Sequence, residues 1–212
     1  MTLDLCEIFN VQVLMSYPPK WKEFCQWRRD NESEDQKIKA LSKTVSFAEL
    51  GRFAARYRLA SAFERLEVNG YPSATEDAYS AVLKAFLAYS TLEQLHKAIE
   101  CDQHLIERWA NLAEEPAARL RRAGKILDFL ESTMRSQQLR ENLDNFRNKE
   151  TDNCLIVATA LRHAVAHGFM TVHPKGTAPQ TSERFCESLR QMLLRIADQE
   201  FSGLVTLLTQ QA

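Results

Sequence analysis

Apolar residues recur at three- and four-residue intervals along most of the chain, the spacing of helices that bury one face. The longest example is C-terminal. Leu189, Met192, Leu193, Ile196, Phe201, Leu204, Val205 and Leu208 hold it for about six turns, predicting a helix from Ser182 to Leu208. Upstream, the same pattern predicts a short helix from Leu105 to Leu112 and a long one from Ala117 through Leu143. Two stretches have capping-box spacing, Ser46-Phe47-Ala48-Glu49 and Ser73-Ala74-Thr75-Glu76. The first opens a helix running toward Leu66, and the second opens one that should break or bend near Ser90-Thr91 before Leu92, Leu95 and Ile99. At the N-terminus, Leu3 to Met15 is amphipathic, Tyr17-Pro18-Pro19 breaks it, and Trp21, Phe24, Cys25 and Trp27 precede a polar stretch from Arg28 to Lys39. Asn69-Gly70-Tyr71-Pro72 is the strongest internal turn signal. It divides the chain into an N-terminal helical extension, residues 1–69, packed on a helical bundle, residues 70–212.

Composition agrees with an all-α protein. Six glycines and six prolines in 212 residues leave few helix breakers. No apolar run reaches the roughly 18–20 residues needed to span a bilayer, and the N-terminus lacks the basic start of a secretory signal. Five scattered cysteines form no CxxC pair, as expected of reduced thiols, so a cytoplasmic protein without membrane attachment is predicted. The net charge of −1 is far from that of a general nucleic-acid coat but leaves room for a local positive cleft. Three groups could supply one: Arg52, Arg56 and Arg58; Arg119, Arg121, Arg122 and Lys125; and Arg162. The alternative for the first two is a solvated helix face. No nucleotide-binding glycine loop and no strained nucleophile turn occurs, so no cofactor is expected.

The chemistry-bearing stretch is Leu161-Arg162-His163-Ala164-Val165-Ala166-His167-Gly168. It places three basic side chains at the end of an apolar helix that Thr151 or Asp152 could cap. Gly168, the residue most tolerant of positive φ, should stop that helix at His167. An arginine holds an anion at any working pH, and a histidine moves protons near neutrality. At about 100° per residue, Arg162 and His167 lie about 140° apart around a regular helix, whereas His163 and His167 are nearly superposed. Either Gly168 unwinds the last turn and swings His167 toward Arg162, or two copies pool their residues. The structural alternatives are a helix-end Arg162 paired with a carboxylate such as Asp152 or Glu150 and a His167 that caps the last carbonyls. A metal reading joins His163 and His167 to His173, but the glutamate of an HExxH pair is missing, with Ala164 next to His163.

Arg162, four intervening residues and His167 resemble the arginine-to-histidine motif of HEPN domains, with His163 at a position often polar in that family. The resemblance covers about the last third of the chain. It implies an antiparallel helical bundle of HEPN type with additional N-terminal helices, a homodimer, and a composite site across a two-fold axis. It also implies a metal-independent endoribonuclease, a toxin or antiphage effector, with RNA as substrate and an antitoxin or regulatory protein as partner. His167 would then act as general base on the 2′-hydroxyl or acid on the 5′-oxygen, with Arg162 stabilising the phosphorane-like transition state. His163 would be the complementary acid or base or would orient the phosphate. Other HEPN proteins are non-catalytic modules that bind RNA, a nucleotide or a protein, and that role is the alternative here. Toxins of one HEPN subgroup carry a modifiable tyrosine two residues after the histidine. Here that position is Phe169, so regulation of that kind is not expected.

Overall fold

The computed structural model describes residues 17–31 and 45–210. The expected Leu3–Met15 helix, Cys6 and residues 32–39 of the polar stretch lie outside the described residues. Among those described, nine α-helices and no strand occur: α1 (Trp21–Asp30), α2 (Phe47–Ala62), α3 (Ser73–Ala98), α4 (Leu105–Arg108), α5 (Ala117–Arg121), α6 (Gly124–Thr133), α7 (Gln137–Arg147), α8 (Leu155–Ala166) and α9 (Pro179–Gln210). Short 3₁₀ turns cover Ala110–Leu112 and Pro174–Gly176. The protein is all-α, a bundle of helices around one apolar core.

Helix α3 is the axis of the bundle, with α9 and α2 as its main neighbours. The α2–α3 pair is antiparallel. Ser46 N–H at the start of α2 donates to the Ala98 carbonyl at the end of α3 (2.7 Å), while Leu66 N–H beyond α2 donates to Ser80 Oγ early in α3 (2.9 Å). Helix α9 also runs against α2, since Asp198 lies beside Tyr57 and Phe201 meets Phe53 one turn earlier on α2. Phe201 is fully buried and touches Trp21, Phe24 and Phe53 at ring-centroid distances of 5.7, 5.9 and 5.3 Å. Residues from both sides of the Asn69–Pro72 turn thus share the core: Phe24, Leu50 and Phe53 with Leu92, Ile196 and Phe201. Burial of each such side chain stabilises by about 1.5–3 kcal/mol.

The capping boxes fare differently. Ser46 caps α2, its Oγ accepting from Glu49 N–H at 3.4 Å. Glu49 does not reciprocate: its carboxylate is taken by Arg52 and Gln94. At α3 the N-cap is Pro72, without any side-chain cap, and the second box does not form. Glu76 turns instead to Arg65 (2.7 Å) and Val68 N–H (2.9 Å), tying down the α2–α3 connection. Nor does α3 break at Ser90-Thr91. The Thr91 hydroxyl donates to the Leu87 carbonyl one turn back (2.9 Å), satisfying itself inside the helix.

The expected long helix from Ala117 to Leu143 is three helices. Ala123, at φ −90° and ψ 48°, interrupts the chain before Gly124. Ser136 then caps α7, accepting from Leu139 N–H at 3.3 Å. These breaks fold α6 and α7 back onto α8, and they place Arg135 in a corner instead of mid-helix. The C-terminal helix is three residues longer at its start than the apolar stripe predicts, and the stripe residues Leu189, Met192, Leu193, Ile196, Phe201, Val205 and Leu208 are buried.

Candidate functional site

Helix α8 is anchored at its start and released at its end. Neither Thr151 nor Asp152 caps it. Asn153 Oδ1 accepts from Leu155 N–H (3.1 Å), while Asn153 Nδ2 donates to the Ile106 carbonyl (2.8 Å). Asp152 is held by Arg121 at 2.6 Å. Leu155, Ile156, Val157, Ala158, Ala160, Leu161 and Ala164 are buried, so α8 has little polar surface beyond Thr159, Arg162 and His163. At its far end, Gly168 N–H bonds the Val165 carbonyl (3.0 Å) and Phe169 N–H bonds the Ala164 carbonyl (2.9 Å). Together with φ +70° at Gly168, this is a Schellman stop, as the glycine predicts. His167 is the C-cap residue, directly after Ala166, and is exposed.

The last turn is not unwound. His167 N–H donates to the His163 carbonyl at 3.1 Å, a regular helical bond. Gly168 therefore does not swing His167 toward Arg162, and no hydrogen bond joins those two side chains. Arg162 faces α3, where its Nη2 lies 3.5 Å from Glu93 Oε1. Arg162 is thus paired with a carboxylate, though that carboxylate is Glu93 and not Asp152 or Glu150. Beside this pair, Tyr89 and Thr159 share a hydrogen bond of 3.0 Å. Burial pushes the Tyr89 hydroxyl above its usual pKa, with Glu93 adding to the shift and the Thr159 bond and Arg162 opposing it.

The structure does bring the two histidines together. The rings of His163 and His167 lie 4.3 Å apart, inclined at 54°. The row continues through Phe169, whose ring is 6.1 Å from that of His167, to Arg135, whose guanidinium sits 5.9 Å over the Phe169 face. His163 is only partly covered, but its Nε2 is the shielded atom and has no hydrogen-bond partner among the described residues. That desolvation, then the charges of His167, Arg135 and Arg162, lowers its pKa. His163 is thus biased toward the neutral form, beside an exposed imidazole.

Arg135, Glu93 and Tyr89 are members of this site that the motif does not reveal. Arg135 comes from a corner hidden within an unbroken apolar pattern, and the other two come from α3 through tertiary contact. The arginine groups also sort differently from their sequence clusters. Arg52, Arg56 and Arg58 are engaged by Glu49, Ser90 and Tyr17 respectively. Arg121 is pinned by the Phe146 and Thr151 carbonyls, each at 2.6 Å, and by Asp152. Among the described residues no group of three or more His, Cys, Asp or Glu is placed to hold a metal ion, so His163, His167 and His173 do not form a triad. No helix among those residues is long and apolar enough to cross a membrane.

The end of α8 therefore offers an exposed imidazole, a neutral neighbour, a cation over the adjoining ring and a half-exposed guanidinium on the next face. Such a set can hold an anion and move a proton. No family model, curated protein or solved structure matches the chain.

Proposed function

We propose that the protein is a metal-independent endoribonuclease of HEPN type whose site is the end of α8. The observation that carries this reading is the 4.3 Å contact of His163 with His167 on an exposed helix end flanked by Arg135 and Arg162. Cleavage through the 2′-hydroxyl needs only two proton transfers and charge stabilisation. The 2′-oxygen attacks phosphorus as its proton leaves to a base, and the 5′-oxygen departs as it gains one, leaving a 2′,3′-cyclic phosphate. His167 is the accessible proton carrier. Arg162 stabilises the phosphorane-like charge. His163, itself biased toward the neutral form, is the second candidate for the proton transfers. Because Arg162 and His167 occupy different faces of one helix, the reading requires two copies to pool them, a cytoplasmic homodimer with one subunit's arginine facing its partner's histidine. DNA, without the 2′-hydroxyl, is spared. The biological role that follows is a toxin or defence effector, held in check by an antitoxin or regulatory protein.

The second reading is a non-catalytic HEPN-like module that binds RNA, a nucleotide or a protein. The contact of Arg162 with Glu93 favours it, since a guanidinium already beside a carboxylate is less available to a transition state. RNA affinity and RNA cleavage, measured side by side for the wild type, Arg162→Ala and His167→Ala, separate the two. Nuclease function predicts that His167→Ala retains RNA binding and loses cleavage. A folded wild type that binds RNA, cleaves none of a varied set and loses binding with Arg162→Ala is the binding module.

A further inference from the structure

We propose that a groove between α5 and α9 is a second anion site, built to take phosphate groups. Two adjoining hollows of about 310 and 160 Å³ share the side chains of Arg119 and Arg122. Helix α9 adds Arg195 to the larger hollow and Arg184 to the smaller. Four arginines from two helices thus converge, and the one carboxylate lining either hollow is Glu115, bonded to Arg195. That carboxylate is 70% exposed, so water screens most of what it contributes.

Apart from Arg195, which Glu115 holds, the guanidinium groups are largely uncommitted. Arg119 spends Nη1 on Ser188 Oγ at 3.3 Å, and Arg122 spends Nε on the Ala118 carbonyl at 3.4 Å. Each keeps its other donors of the five a guanidinium carries. The Arg184 side chain makes no hydrogen bond or ion pair with any described residue. Ser188 is itself fixed, buried and donating to the Arg184 carbonyl at 2.8 Å, so it holds Arg119 in place from within the helix. Phe185 and Met192, both buried, form an apolar floor that keeps water from one side. Four like charges gathered around a single, exposed carboxylate repel one another, and a multiply charged oxyanion with forked acceptors relieves that repulsion best. The larger hollow is at the small end of the roughly 300–1,000 Å³ range of small-molecule sites, enough for a phosphate with part of its sugar. No residue of the α8 cluster lines it, so the proposal stands whether or not α8 is catalytic.

The phosphate could belong to a mononucleotide or to a polynucleotide backbone. The test follows inorganic phosphate binding to the full chain by thermal shift, with ionic strength held constant by chloride. Arg122 and Arg184 carry no ion pair, so Arg122→Gln/Arg184→Gln should fold as the wild type does. Phosphate should raise the wild-type Tm saturably. The double variant should bind about tenfold more weakly or worse, the loss expected when charged hydrogen bonds are removed. Arg140→Gln, an exposed arginine elsewhere, should bind as the wild type does. Adenosine monophosphate and a short single-stranded RNA, added as competitors, then identify the source of the phosphate, and tighter competition by either supports the site. An unchanged wild-type Tm, a double variant that responds fully, or an equal loss in Arg140→Gln would overturn it.

Discussion

The imidazoles of His163 and His167, one helical turn apart, are in ring contact at 4.3 Å, and only His163 has a shielded nitrogen without a partner. Burial and the surrounding positive charge make protonation of His163 unfavourable in the folded state. The unfolded chain, with an ordinary histidine pKa of about 6.5, takes the proton first as pH falls. Stability therefore declines as pH drops through about 6.5 and stops declining once the lower folded pKa is passed.

His163→Asn removes that titration. Asp198 has a raised pKa, caused first by burial, and acts in the opposite sense at lower pH, favouring the folded state as its carboxyl protonates. The difference between wild type and variant isolates the histidine. Urea midpoints measured from about pH 8 to pH 5 should show a flatter acid limb for His163→Asn than for wild type. Parallel curves would mean that His163 protonates freely in the fold.

Arg162 and Glu93 form a pair that is open to water, with side-chain exposures of 41% and 32%. Such pairs contribute about 0–1 kcal/mol. Glu93→Gln should thus leave stability within about 1 kcal/mol of wild type, while releasing Arg162 to an external anion. Under the nuclease proposal, RNA affinity rises in this variant. A drop in affinity would show that Glu93 positions the arginine productively.

Gly168 has φ +70°, and a Cβ built on it would meet nothing within 4 Å. The effect of Gly168→Ala is therefore backbone strain alone, about 1–2 kcal/mol. Chemical denaturation of Gly168→Ala and Gly168→Asn should give the smaller loss for asparagine, which enters the left-handed region more readily. Equal losses would point to a constraint other than φ.

Phe201 joins α1, α2 and α9 through its ring contacts with Trp21, Phe24 and Phe53. Phe201→Ala should cost about 3–5 kcal/mol, the range for buried aromatic truncations. A single cooperative transition at lower urea is the expected form. Separate loss of α1 and α2 signals, with the remainder of the bundle intact, would show that the shared core is not one cooperative unit.

Periodicity reveals the helices whose faces meet the core over many turns, and α9 is the clearest. It fails where a break carries no apolar interruption. Leu120, Ile126, Leu130, Leu139 and Leu143 read as one stripe, yet Ala123 and Ser136 turn the chain twice. It also misreads Thr91, whose hydroxyl can satisfy itself within a helix. At the candidate site, the helix stop at Gly168 and the contact of His163 with His167 follow from local rules, and both are legible. The pairing of Arg162 with Glu93 and the placement of Arg135 over Phe169 depend on tertiary packing, which no local spacing encodes. The arginines of the α5–α9 groove show the same division: Arg119 and Arg122 are three residues apart in sequence, but Arg184 and Arg195 join them only through the fold.

The most direct measurement is product-end analysis of labelled single-stranded RNA incubated in EDTA with wild type and His167→Ala, with DNA of the same sequence alongside. The account predicts that wild type alone cleaves, that it leaves 2′,3′-cyclic phosphate, and that DNA stays intact. Cleavage that survives in His167→Ala, or products ending in a 3′-hydroxyl, would contradict it.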